Sequence, residues 1–172
     1  MSIYRPLFRV LNASGTRYVV VGGVATVLHG HARLTADVDL MIDLEREAAR
    51  QAVRALVAFG LRPRVPVNAE DFADERIRAG WIRHKGMQVF SFFKPDDPLL
   101  SVDVFVDHPI DFDRLYARSE TCAVGDVSVR VVSIDDLIQL KRLAGRPQDR
   151  EDVAKLEEIR RLKGRDGERR DE

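Results

Sequence analysis

Apolar and polar residues recur along the chain with two different periods, which predict strands and helices in turn. Short apolar runs predict strands at 18–21, 37–42, 87–93, 99–106, 121–124 and 127–132. Helical spacing of apolar residues, or stop and capping signals, predict helices at 5–14, 23–29, 45–59, 111–118, 134–144 and 149–162. The order is helix, strand, short helix, strand, helix, then mostly strands, then two helices. It predicts an α+β (mixed α/β) fold.

The same pattern suggests how the chain is divided. At 172 residues it is long enough for one domain with a substantial core. We expect a core over 1–132 and a small C-terminal helical segment over 133–163 that packs on it. Residues 164–172 contain no apolar side chain and predict a disordered tail.

Composition limits the classes of protein to consider. Hydrophobic residues make up 45%, and 28 basic residues balance 28 acidic ones. A neutral chain has no overall basic field to attract nucleic acid, although a local patch is compatible with it. The single cysteine, Cys122, excludes an internal disulfide and fits a reducing compartment. No apolar run approaches the roughly 20 residues needed to span a bilayer, and no signal peptide is visible, so we expect a cytoplasmic protein without membrane contact.

Two acidic residues begin the second predicted strand. Asp37 and Asp39 are separated by one residue, so both side chains point to the same face of the strand. Two like charges placed side by side repel each other, and this costs free energy unless a cation bound between them offsets it. The pair therefore suggests Mg²⁺ (or Mn²⁺). The alternative is a polar strand edge that faces solvent. A third carboxylate would favour the metal site. Asp103, flanked by valines in a later strand, is the first candidate, and Asp107 is the second.

Two glycines end the first predicted strand and begin a short helix. Gly22 and Gly23 would let backbone N–H groups approach an anion such as phosphate. A tight turn without a ligand is the alternative. Further along the chain, Lys141 falls within the inward stripe of the helix predicted at 134–144. An inward lysine either extends its ammonium group to solvent or lies over an anion. Asp149 is expected to cap the last helix.

The combination of these motifs resembles a known superfamily. Val21-Gly22-Gly23, followed after residues 24–36 by Asp37-Val38-Asp39-Leu40, resembles the signature of the DNA polymerase β-type nucleotidyltransferases. The stretches GGVATVLHGHARLTADVDL and VVSIDDLIQLKRLAGRPQDREDVAKL are most similar to the AbiEii-type toxin nucleotidyltransferases. Many superfamily members carry Gly-Ser where this chain has Gly-Gly, so phosphate contacts at this turn would come from backbone N–H groups alone.

The resemblance implies a fold and a set of functional residues. The fold would be the nucleotidyltransferase fold, a mixed twisted sheet with helices on one side. The implied metal ligands, which are also the catalytic residues, are Asp37, Asp39 and Asp103. The implied nucleotide-binding residues are Gly22, Gly23, Arg33, Thr35, Lys141, Arg146 and Asp149. Asp152 matches the same motif and is otherwise explained as an acidic residue in the first turn of a helix.

The implied activity is metal-dependent transfer of an NMP group from an NTP to an acceptor hydroxyl, with release of pyrophosphate. The acceptor stays open between RNA, which the toxin of a toxin–antitoxin pair would modify, a protein hydroxyl and a small molecule. Neutral overall charge argues mildly against extended RNA contacts. An antitoxin is an expected partner. The alternative is a non-catalytic nucleotide-binding or antitoxin-like interaction module with the same fold.

Overall fold

A seven-stranded mixed sheet forms the centre of the protein. The computed structural model describes residues 2–168. The strands are β1 (Tyr18–Val21), β2 (Asp37–Ile42), β3 (Arg62–Pro63), β4 (Val89–Lys94), β5 (Asp97–Phe105), β6 (Glu120–Val124) and β7 (Val127–Val131). Their order across the sheet is β3-β4-β5-β2-β1-β7-β6. The β2–β5 and β1–β7 pairs are parallel, and the other neighbouring strands are antiparallel. This confirms the predicted mixed α/β class.

Helices connect the strands of this sheet, and several of them begin at polar caps. They are α1 (Arg5–Ala13), α2 (Gly22–Leu28), α3 (Arg46–Ala58), α4 (Glu75–Lys85), α5 (Phe112–Arg118), α6 (Ile134–Ala144) and α7 (Pro147–Glu168), with 3₁₀ turns at Ser2–Tyr4 and Ala69–Ala73. Glu45, Asp74 and Ser133 accept hydrogen bonds from the first N–H groups of α3, α4 and α6. These bonds satisfy donors that the helices themselves leave free.

One face of the sheet is apolar, and this asymmetry leaves the other face available for chemistry. Alternate residues of the central strands, Leu40, Val104 and Phe90, are fully buried and lie opposite one another on β2, β5 and β4. The residues between them in sequence point to the opposite face, since side chains alternate along a strand. The acidic residues of β2 and β5 belong to that second set.

Helix α4 was not predicted, because its hydrophobic pattern is weak. Only Arg78 and Trp81 are buried along its length. The Arg78 guanidinium donates hydrogen bonds to the backbone carbonyls of Phe72 and Leu44, so a charged side chain replaces an apolar one at the core. Gly86 ends the helix in the left-handed conformation.

The last helix differs from the prediction at both ends. Asp149 is not its N-cap, which corrects the expectation: α7 begins at Pro147, so Asp149 lies inside the first turn. Its carboxylate accepts a hydrogen bond from the backbone N–H of Arg146 at 3.2 Å. The helix continues past Leu162 to Glu168, into the segment predicted as a tail, and 169–172 lie outside the described residues. No described helix is both long and apolar enough to cross a bilayer.

Candidate active site

Strand register brings the predicted carboxylates together on the polar face of the sheet. Asp39 on β2 lies directly opposite Asp103 on the parallel strand β5, and Ser91 on β4 lies opposite Asp103 on the other side. Asp37 is two residues before Asp39 and therefore shares its face. We call Asp37, Asp39 and Asp103 the acidic row. All three side chains are half-buried. By contrast, Asp107 lies beyond the end of β5, is exposed, and accepts a hydrogen bond from the backbone N–H of His108.

The acidic row carries unbalanced negative charge. Burial raises the pKa of Asp39 to about 6, and the charges of Asp103 and Asp37 add to the shift, which the Gly23 N–H opposes. Burial also raises the pKa of Asp103, against a hydrogen bond from Ser91, with Asp37 adding to the shift. Both shifts mean that the ionised form of these carboxylates is disfavoured, first by burial and further by the neighbouring negative charge. A cation placed among them would remove that cost.

The donor chemistry of the row fits a hard divalent cation. Carboxylate oxygens are the protein ligands that Mg²⁺ prefers, and Mg²⁺ commonly completes its coordination with water and substrate phosphates. Within residues 2–168, however, no group of three or more His, Cys, Asp or Glu side chains is arranged to hold a metal ion by itself. The row therefore fits in ligand type and placement without forming a closed cage of protein ligands.

The glycine turn lies directly against this row. Gly22 has a φ of +63°, and a Cβ at this position would overlap Oδ2 of Asp39 and lie 2.9 Å from its Cβ. The Gly23 N–H points at the same oxygen at 3.4 Å. A side chain at Gly22 would therefore displace the Asp39 carboxylate, and the φ value is one that favours glycine. The turn from β1 into α2 thus defines where Asp39 lies.

The loop before β2 covers the other glycine. A Cβ at Gly23 would overlap Oγ1 of Thr35 and would lie 3.6 Å from the guanidinium carbon of Arg33. The Thr35 carbonyl accepts a hydrogen bond from the Tyr4 hydroxyl at 3.2 Å, which ties the loop to the N-terminal turn. Arg33 and Thr35, which the resemblance implied as nucleotide-binding residues, therefore both lie at the glycine turn.

Lys141, Arg146 and Asp149 belong to a partly buried set of ion pairs between α6, α7 and this loop. The Lys141 ammonium lies 2.6 Å from Oδ2 of Asp152 and 3.4 Å from Oδ1 of Asp149. Arg33 also reaches Oδ2 of Asp152, at 2.5 Å, and Arg146 pairs with Asp149 at 2.7 Å. We call these five residues the ion cluster. The anion over which Lys141 lies is therefore a pair of carboxylates of the chain itself.

Charge balance in the ion cluster is the reverse of that in the acidic row. Burial alone would raise the pKa of Asp152, but the hydrogen bonds and charges of Lys141 and Arg33 outweigh it and hold that pKa below its ordinary value. Burial would also raise the pKa of Asp149, but the charges and hydrogen bonds of Arg146 and the charge of Lys141 lower it instead. The Arg146 charge also acts on Asp39, so the ion cluster lies close enough to the acidic row to influence its charge.

Sequence spacing missed two contributors to this region, and a third was noted there without being counted among the nucleotide-binding residues. Ser91 completes the line across the sheet, and Arg64 places a charge that lowers the pKa of Asp103 while its guanidinium contacts Ser101 Oγ at 3.3 Å. Asp152 is the third, since its pairing with Arg33 joins residues far apart in the chain. Motif matching offered a signal for Asp152; none was visible for Ser91 or Arg64.

The site combines a mixed sheet with carboxylates on two adjacent parallel strands beside a glycine turn. Several solved structures have the same fold. The chain resembles the lincomycin-bound lincosamide antibiotic adenylyltransferase LnuA (12% identity, 92% of this chain and 96% of that one, TM-score 0.59). It also resembles a Thermotoga maritima protein assigned to the nucleotidyltransferases (15%, 89% and 89%, 0.56). An antigenic nucleotidyltransferase-like protein of Paracoccidioides brasiliensis is a third (18%, 93% and 74%, 0.56). The fold is that of the nucleotidyltransferases.

The family follows from the sequence itself. Residues 5–166 match the family described as "Nucleotidyl transferase AbiEii toxin, Type IV TA system", and the chain belongs to that family. It is therefore a nucleotidyltransferase enzyme of a toxin–antitoxin family. This confirms the resemblance noted in the sequence and the predicted nucleotidyl transfer. Among curated proteins, no sequence matches the chain.

Proposed function

We propose that the acidic row is the catalytic centre of this nucleotidyltransferase and that it works with a divalent cation. The observation that carries the proposal is the register of β2 and β5, which sets Asp39 opposite Asp103 with Asp37 on the same face. Asp37, Asp39 and Asp103 would hold Mg²⁺ or Mn²⁺. When bound, the cation would supply the positive charge that these carboxylates and a triphosphate both lack.

The nucleotide would bind on the side of the row that faces α2, α6 and α7. Gly22 and Gly23 would offer backbone N–H groups, and Arg33, Thr35 and Arg146 lie next to them or face them. Arg146 is 72% exposed at its side chain and can turn toward a ligand. Lys141 and Asp149 would act through the charge of the ion cluster, because the Lys141 ammonium is buried against two carboxylates. Triphosphate oxygens would thus meet a region of positive charge.

Transfer would proceed from the opposite side. An acceptor hydroxyl near Asp103 would lose its proton to that carboxylate while its oxygen attacks the α-phosphorus. A new P–O bond forms, the bond to the bridging oxygen breaks, and pyrophosphate leaves with the electron pair. In this scheme Asp37 and Asp39 would hold the cation at the nucleotide end of the reaction. Asp103 serves the acceptor end.

The surface beside Asp103 favours an anionic acceptor, and among the open alternatives we propose RNA. Arg62, Arg64 and Phe93 continue the polar face from Asp103 toward the edge of the sheet. The Arg64 guanidinium lies 5.6 Å from the centre of the Phe93 ring. Arg62 and Arg64 are exposed, and neither forms an ion pair with a carboxylate in the part of the chain that the structure describes. Arginines beside an aromatic ring suit phosphates and bases.

Two measurements test this proposal. Each NTP is titrated calorimetrically with and without Mg²⁺, and NMP incorporation into total RNA, protein and small-molecule fractions is followed with label in the α-phosphate. We expect binding, Mg²⁺-dependent pyrophosphate release and label in RNA. Label in protein alone would contradict the RNA assignment but not the transfer. Binding without release would instead support the non-catalytic, antitoxin-like alternative. An antitoxin partner is expected to suppress the release.

A further inference from the structure

One carboxylate on the C-terminal helix connects three separate parts of the chain. Asp152 on α7 is fully buried. Its Oδ2 accepts hydrogen bonds from Lys141 of α6 at 2.6 Å and from Arg33 of the loop before β2 at 2.5 Å. Its other oxygen, Oδ1, has no hydrogen-bond partner among the residues that the structure describes, and Nε2 of His31 is 3.7 Å away. Two cations therefore share one oxygen of a single buried carboxylate.

The Arg33 side chain is held by this contact. Leu34, next to Arg33, is 97% exposed, so the loop gains little from apolar burial at its tip. Within the described residues, Arg33 forms an ion pair with Asp152 alone, and its other side-chain hydrogen bond is to the carbonyl of the adjacent Leu34. The Arg33 side chain is nevertheless 23% exposed and faces Gly23. Asp152 thus orders an arginine that remains accessible to a ligand.

From this geometry we infer that Asp152 is a positioning residue for the nucleotide site. It acts through Arg33, whose guanidinium it holds beside the glycine turn, where the triphosphate is proposed to bind. The inference rests on the proposed function and adds to it a role for α7, which completes the site without contacting the nucleotide itself. Holding the guanidinium in place before binding lowers the cost of ordering it when the ligand arrives.

A purely structural role for Asp152 makes a different prediction. If Asp152 served only to join α6 and α7 through Lys141, removing it would lower stability without changing how Arg33 contributes to affinity. If it acts through Arg33, then removing either residue has the same consequence for binding, and removing both adds nothing. Non-additivity of this kind is the expected behaviour of two residues that act as one unit.

The test is a double-mutant cycle read by calorimetric titration of ATP, GTP, CTP and UTP in Mg²⁺, using the NTP that the full chain binds most tightly. We expect Asp152→Asn and Arg33→Gln each to raise Kd about tenfold, because one charge-assisted contact contributes about that much. The double variant should also raise Kd about tenfold and no more. An unchanged Kd in Asp152→Asn, or a rise near 100-fold in the double variant, would overturn the inference. Absence of NTP binding by the unmodified chain would overturn the proposed function and this inference together.

Three further variants control for unfolding and for indirect effects. Glu157→Gln removes an exposed ion pair between the same helices, that of Glu157 with Arg142, and should leave Kd unchanged. If Asp152→Asn does not fold, the comparison is made between Lys141→Met and Lys141→Met/Asp152→Asn, because the double variant removes both buried charges at once. Addition of Asp152→Asn should again raise Kd about tenfold. No further rise would show that Asp152 serves Lys141 alone.

Discussion

The acidic row and the ion cluster both lie beside the glycine turn, but their carboxylates are charge-balanced in different ways. In the row, Asp39 and Asp103 face each other with little compensation, and the pKa of each carboxyl is raised. In the cluster, Asp149 and Asp152 are more deeply buried, yet the cations around them hold both pKa values below their ordinary range. Burial is common to both regions; the difference is whether the chain supplies the counter-charge.

This difference indicates which of the two regions binds a ligand and which stabilises the fold. A group of like charges that the fold keeps together is stable only if something from outside neutralises it, which is the behaviour expected of a site for a cation and a substrate. A cluster of opposite charges is complete without a ligand and can hold neighbouring residues in place. Substitutions in the two regions should therefore change stability in opposite directions.

The largest effect on stability is expected in the ion cluster. Lys141→Met removes the cation that both Asp149 and Asp152 contact, and we expect the free energy of unfolding to fall by about 3 kcal/mol because buried carboxylates lose a partner. Urea unfolding measures it. The matched control is Arg142→Met on the same helix, whose pair with Glu157 is exposed and which should change stability by less than about 0.5 kcal/mol. Equal effects of both variants would refute the assigned role of the cluster.

A substitution at the glycine turn should damage the row itself. In Gly22→Ala the new methyl group overlaps the Asp39 carboxylate at a φ that alanine adopts only with strain. We expect a loss of about 2 kcal/mol in stability and at least about 100-fold in nucleotide transfer. Gly80→Ala is the control, since a Cβ there meets open space on α4. Transfer at the original rate in Gly22→Ala would mean that Asp39 does not need its observed position.

Neutralising the row should stabilise the protein when no divalent cation is present. The folded pKa of Asp39, about 6, lies above its ordinary value of 3.8, so the ionised carboxylate opposes folding. Stability of the cation-free chain should therefore fall as pH rises through this window, and Asp39→Asn should be more stable by about 1–2 kcal/mol at pH 7 but not below pH 3.8. Urea unfolding in EDTA at several pH values measures it. A destabilised Asp39→Asn at pH 7 would contradict the unbalanced charge.

The smallest expected effect is that of the cation alone. Mg²⁺ should raise the Tm of the unmodified chain by a few degrees at pH 7, since a cation that binds only the folded state adds about 1 kcal/mol at modest saturation. At pH 5 the rise should shrink, because protonated carboxylates bind cations poorly. Differential scanning calorimetry of the unmodified chain and Asp39→Asn measures both. The same rise in Asp39→Asn would place the cation elsewhere.

Much of this arrangement could be predicted from the sequence, and the rest could not for physical reasons. Alternation along β2 placed Asp37 and Asp39 on one face, because that property belongs to a single strand. The choice of Asp103 over Asp107 depends on which residue lies opposite Asp39, and that register is set by the packing of the whole sheet. The sequence could rank Asp103 above Asp107 from its flanking valines, but it could not show which of the two lies opposite Asp39.

The ion cluster shows the same limit more clearly. Helical spacing predicted that Lys141 points inward, and its side chain is buried. Its partners lie on α7, and Arg33, which also donates to Asp152, lies in the loop before β2. No local sequence pattern could predict this contact, because it joins residues 33 and 152. Helix α4 was missed for a related reason: its buried Arg78 satisfies backbone carbonyls that only the folded chain brings near.

Pyrophosphate release from NTP, measured with Mg²⁺ and the RNA acceptor, shows whether the acidic row is the catalytic centre. The measurement compares the unmodified chain with Asp39→Asn, Asp103→Asn and the exposed Asp107→Asn as matched control. We expect a loss of at least about 100-fold for the first two variants and an unchanged rate for Asp107→Asn. Release at the original rate by Asp39→Asn or Asp103→Asn would contradict the assignment of the acidic row as the catalytic centre.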